Sequence, residues 1–113
     1  MEDCIFCKLA NGEIPTDMVY EDEKIAVFRD ATPQAPVHLL MVPKIHIASL
    51  DDLTDEHADL VAHMMCMIKN VAASEGLDNG YRCVINTGDE GQQTVKHLHI
   101  HILGKRQMHW PPG

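Results

Sequence analysis

Basic charge is in short supply in this sequence. Nine Lys and Arg stand against seventeen Asp and Glu among 113 residues, for a formal net charge of -8 at pH 7. Such a chain lacks the broad basic footprint of a nucleic-acid scaffold. A small anionic ligand is still admissible, because Lys44, Lys96, Lys105 and Arg106 sit near the histidine-rich stretches. Long apolar runs are missing too, and no segment reaches the length that a bilayer demands. The opening "MEDCIFC" has neither a basic start nor a cleavable apolar stretch, so no secretory signal is expected and a cytoplasmic setting is. Repeats, low-complexity tracts and linkers are lacking as well. The length suits a single domain, 1–113, with one core. Four cysteines in such a context do not read as a disulfide framework. Cys66 and Cys83 read as small buried apolar residues.

Hydrophobic residues make up 45%, enough for a globular core, and their spacing predicts an α+β order. "CIFCKLAN" followed by Gly12 reads as a short helix, ended by Pro15. "MVYE" and "KIAVFRD" read as strands about an acidic turn, and "ATPQAP" as a loop. In "VHLLMVP", residues 37–43, alternation puts His38, Leu40 and Val42 on one face and Val37, Leu39 and Met41 on the other. One long helix is expected after Thr54, its natural N-cap, with Gly76 at its end. Leu60, Val61, Met64, Met65, Ile68, Val71 and Ala72 recur at helical spacing, so the methionines read as core filler. "YRCVINT" and "HLHIHIL" complete a five-stranded antiparallel sheet crossed by one helix. The tail, 105–113, is too rich in proline to join the sheet. It reads as a docking segment, because Trp110 would otherwise be an exposed ring.

Two clusters carry chemistry. In a strand, His97, His99 and His101 would form one row about 6.6–6.8 Å apart, with Leu98, Ile100 and Ile102 facing the core. Such a row can be solvated decoration, a metal site, or a nucleophile with a proton-handling partner. The preceding "NTGDEGQQTV" brings Gly88, Gly91, Gln92, Gln93 and Thr94 to its head, and their amide and hydroxyl donors suit phosphoryl oxygens. The second cluster is Cys4-x-x-Cys7. A redox pair would follow a strand, and none precedes it. Zinc would need two further ligands, and His46 and His97 are available. Two packing cysteines are the plain alternative.

"HLHIHIL" matches the histidine triad pattern. "DATPQAPVHLLMVPKIH", "GQQTVKHLHIHILG" and "GKRQMHWPPG" resemble the Hint branch of that superfamily, the histidine triad nucleotide-binding proteins, almost end to end. The resemblance implies a homodimer with one continuous sheet, and hydrolysis of purine nucleoside 5′-phosphoramidates to AMP or GMP and an amine. It implies His99 as the nucleophile, forming a nucleotidyl-histidine. His101 would meet the phosphate or leaving group, and His38 would set protonation states. It places Asn86, Gln93 and Thr94 at the phosphate, Asp30 at the ribose, and Phe6, Leu9, Ile14 and Phe28 around the base. Trp110 would reach the partner's site. Many microbial relatives bind zinc through such a Cys pair and two histidines. That implies a closed structural Zn²⁺ site of Cys4, Cys7, His46 and His97, stapling the segment 1–12 to the sheet. The departures are Gln92, where a glycine is usual, Lys96, where an aromatic is common, and Arg29, where a histidine is often seen. Two other classes stay open: a zinc hydrolase using the HxH row, and a nucleotide-binding scaffold with little turnover. The transferase branch carries glutamine in place of the last histidine, and His101 is retained.

Overall fold

A computed structural model describes residues 3–113; residues 1 and 2 of the expected zinc-staple segment lie outside the described residues. Five strands, β1 Met18–Glu21, β2 Ile25–Arg29, β3 Val37–Pro43, β4 Tyr81–Val84 and β5 Ile100–Gly104, form one antiparallel sheet in the order β1-β2-β3-β5-β4. The long helix α2, Ala58–Ser74, lies on one face, where Met64, Ile68, Val71 and Ala72 meet Ile25, Val27, Leu39, Met41, Ile100 and Ile102. The short helix α1, Ile5–Ala10, covers the other, with Phe6 and Ala10 against Ala26, Phe28, Leu40 and Val42. Odd and even positions of β2 and β3 thus serve different layers, as a period of two requires. Every residue of β3 is buried.

The structure departs from expectation at several points. Thr54 caps a 3-10 turn, Asp55–His57, and the α-helix begins only at Ala58. Gly76, at φ 71°, does end it. Cys66 and Cys83 are exposed, and so is Met65 at 44%. At 100° per residue Cys66 points away from the Met64–Ile68 stripe and Met65 falls on its flank. Most consequential, the run 97–103 is not one strand. The chain bends at 95–97, and the N–H of Leu98 donates to Ile47 O at 2.7 Å, outside the ladder; β5 starts at Ile100. Among the described residues no helix is long and apolar enough to cross a membrane.

Candidate active site and metal centre

The late start of β5 separates the three histidines. His97 is fully buried, and its Nδ1 lies 3.3 Å from Cys4 Sγ and 3.4 Å from Cys7 Sγ. The Nδ1 of His46 lies 3.3 Å from Cys7 Sγ. The four donor atoms are all within 4.8 Å of one another. Helix α1 makes this possible: Cys4 is its N-cap and Cys7 lies one turn on, so its first turn presents both sulfurs together. The donor set fits zinc. Two thiolates and two imidazoles are its usual closed set, and a tetrahedron built on them has S···N edges of roughly 3.5 Å, close to the separations here. The ring of His97 is prepared as well. Its Nε2–H donates to Pro43 O at 2.8 Å, which leaves the Nδ1 lone pair for a cation. Burial, with the neighbouring Cys4, pushes the Cys7 thiol up. A thiolate pair in this place therefore calls for a dication to balance it.

His99 and His101 face a cleft of about 960 Å³ on the α1 side of the sheet. The Nδ1–H of His99 donates to the backbone oxygen of His97 at 2.6 Å. A carbonyl can only accept, so the neutral ring carries its lone pair on Nε2. Phe6 packs edge-on against that ring at 4.9 Å between centroids. Beside it, a proton chain is fixed from one end. The N–H of Gln34 donates to His38 Nδ1 at 3.0 Å, so a neutral His38 holds its proton on Nε2. That Nε2 lies 2.9 Å from His101 Nδ1 and 3.3 Å from Asp30 Oδ2. His38 therefore donates to His101, whose own proton sits on Nε2. Burial, then the neighbouring His99 and His38, lowers His101 to about 4 against the pull of Asp30, and burial lowers His38 too. Both rings are neutral at pH 7 and act as directed donors.

Of the residues implied for nucleotide contact, the cleft is lined by Phe6, Leu9, Phe28, Asp30, Asn86 and Thr94. Three are placed elsewhere. Gln93 is buried with its carboxamide turned into the loop: its Nε2 donates to Ala48 O at 2.7 Å and Val95 O at 3.1 Å, and its Oε1 accepts from Gly88 N at 3.3 Å. It braces the loop. Ile14 is half-buried and is not part of the cleft wall. Trp110 is 82% exposed and outside the cleft, although Pro112 and Gly113 of the same tail line it. Arg29 clasps Glu75 through two hydrogen bonds of 2.8 and 3.1 Å, tying β2 to the end of α2. The backbone groups of Gln34, Pro43 and His97, which set the tautomers of His38, His97 and His99, carry no side-chain signal. The three rings of the HxH row do not form one donor set: that of His97 joins the cysteines, that of His99 faces the cleft, and His101 stands with Asp30 and His38, their donor atoms within 4.8 Å of one another.

The family described as "Scavenger mRNA decapping enzyme C-term binding" matches residues 3–110. An HIT-like protein of Synechococcus elongatus is 56% identical over 99% of this chain and 98% of its own. A crystal structure of an HIT family hydrolase from Legionella pneumophila superposes with a TM-score of 0.95 at 51% identity, covering 98% of this chain and all of that one. This chain is a histidine triad protein. A 14 kDa zinc-binding protein of Brassica juncea is 48% identical to this triad protein over 98% of the chain and all of its own. The adenylylsulfatase HINT1 of Arabidopsis thaliana is 46% identical over 96% of the chain and 76% of its own.

Proposed function

We propose that this triad protein hydrolyses purine nucleoside 5′-phosphoramidates to the nucleoside monophosphate and a free amine. One observation carries the reading: the Nδ1–H of His99 is held by His97 O, so its Nε2 lone pair is presented to the cleft beside a neutral His101. His99 Nε2 would attack the α-phosphorus and the P–N bond would break. The nitrogen would depart as the free amine, carrying a proton already on it in the bound substrate, while His101 Nε2–H hydrogen-bonds a phosphoryl oxygen. Water would then cleave the nucleotidyl-histidine, its hydroxyl joining phosphorus, its proton passing to solvent and His99 recovering its Nε2 lone pair. Splitting the displacement in two is covalent catalysis, and the donors around the phosphoryl oxygens lower both barriers. Asn86 and Thr94 would hold those oxygens, Asp30 the ribose hydroxyls, and Phe6, Leu9 and Phe28 the base. The adenylylsulfatase name of the Arabidopsis relative supports an adenylyl-type substrate.

Zn²⁺ in the Cys4, Cys7, His46 and His97 set would be structural, since four protein donors leave no open position. Reduced thiols there accord with a cytoplasmic setting. We assign residues 1–113 to one domain. The functional unit in this reading is a homodimer, with Trp110 reaching the partner's cleft. The decisive experiment assays AMP- and GMP-phosphoramidates with wild type and His99→Ala and looks for nucleotidylated protein by mass spectrometry. Turnover and a labelled His99 peptide in wild type, both lost in the variant, are expected. No turnover by wild type at high enzyme concentration with either substrate would falsify the hydrolase reading and favour a binding module.

A further inference from the structure

Two non-glycine residues of the described chain have positive φ, Gln92 at 60° and Lys105 at 69°. Lys105 has an evident use, since its Nζ donates to Gly76 O at 2.6 Å where α2 ends. Gln92 has none so far. A left-handed backbone crowds an L side chain, which is why glycine usually fills such positions, and strain of this kind persists where something offsets it. The turn imposes the conformation. A Cβ on Gly91 would collide with the carbonyl oxygen of Thr87. The N–H of Gln92 donates to Asp89 O and that of Gln93 to Gly88 O, each at 3.0 Å. Residue 92 is thus held left-handed whatever its side chain.

That side chain is placed for a ligand. Gln92 lines the cleft with Asn86, Glu90 and Thr94. Its neighbours are tied down, Gln93 to Ala48 and Val95 and Lys96 Nζ to Gln93 O at 3.1 Å. The carboxamide of Gln92 has no protein partner among the described residues. In-line attack by His99 sends the leaving nitrogen to the far side of phosphorus from that ring. The walls proposed for the nucleoside come from α1 and β2; of the polar walls that remain, Thr32 and Gln34 on one and Glu90, Gly91 and Gln92 on the other, the second adjoins the phosphate-side Asn86 and Thr94 in the chain.

We infer that Gln92 is a specificity-determining residue whose carboxamide hydrogen-bonds the leaving group, favouring amines with a carbonyl or hydroxyl close to the scissile nitrogen over plain alkylamines. This rests on the phosphoramidate reading above. The test compares two AMP phosphoramidates, of glycinamide and of the similarly shaped isobutylamine, in wild type, Gln92→Gly and Gln92→Ala. Intrinsic leaving-group reactivity cancels when the ratio of kcat/KM values is compared between proteins. Loss of one neutral hydrogen bond should lower the glycinamide preference by about 3- to 10-fold in both variants. Melting temperature should rise in Gln92→Gly, where the strain is relieved, and not in Gln92→Ala, which keeps it. An unchanged ratio in Gln92→Ala overturns the inference, because the carboxamide is then idle. A wild type that cleaves neither compound sinks the hydrolase reading itself, a distinct result.

Discussion

Tautomers in the cleft are set one atom at a time. Gln34 N–H fixes His38, His38 fixes His101, and His97 O fixes His99. The cost of keeping two buried imidazoles neutral shows up as pH dependence. The folded His101 titrates at about 4, with His38 also lowered, whereas the unfolded chain takes up those protons near the ordinary imidazole value of about 6.5. The contribution of His101 is full above about pH 6.5, erodes as pH falls from there, and is gone below about pH 4, and that of His38 is lost in the same direction. Asp22 stays out of that window. Burial would raise its carboxyl, but hydrogen bonds from Lys24, His63, Tyr20 and Ile25 hold it below the usual carboxylate range. Thermal melts should therefore show a falling Tm from pH 7 to pH 4.5, with a shallower slope in His101→Asn. Equal slopes in the two proteins would place the dependence in another group.

Of the two α-helices, α1 has the less to hold it by packing alone. It is six residues long, and isolated helices of that length are unstable in water. Phe6 and Ala10 anchor it apolarly, and Cys4 and Cys7 would anchor it through the ion. Cys7→Ser should release bound zinc, lower Tm by about 5 °C or more, and speed amide exchange over residues 5–10 while β3 stays protected. Zinc retention in that variant, or exchange spread evenly over the sheet, would contradict the staple. This scale also shows what the sequence made legible. Alternation in 37–43 assigned both faces of β3, because it tracks where side chains point. The same alternation in 97–103 overran the strand, because an extended chain alternates whether or not its N–H groups join a ladder. Spacing did not bring Cys7 and His97 to one site; only the resemblance did. The carbonyls of Pro43 and His97, being backbone, had no signature to read.

For the whole molecule, the β4 edge of the sheet is poorly suited to standing alone. β4 ends the sheet with Tyr81, 40% exposed, and Cys83 facing outward, and α2 leaves Met65 and Cys66 uncovered. An unprotected edge with apolar side chains invites pairing. The proposed homodimer would join β4 to its copy. Sedimentation equilibrium should give a dimer for wild type, and Tyr81→Lys combined with Cys83→Lys should shift it toward monomer by setting like charges across the two-fold edge. A monomeric wild type at all concentrations would remove the dimer and, with it, any role for Trp110 in a neighbouring cleft.

One residue belongs to both chemical clusters. The ring of His97 completes the sulfur-nitrogen set while its carbonyl aims His99. In the proposed reading, metal binding and the aim of the nucleophile therefore meet at one position in the chain, the first through its side chain and the second through its backbone. A lineage that abandons the ion must find another way to seat residue 97 before it can keep its nucleophile. In the same reading a freshly made chain would face that ordering in time, reaching competence for turnover once the metal is bound.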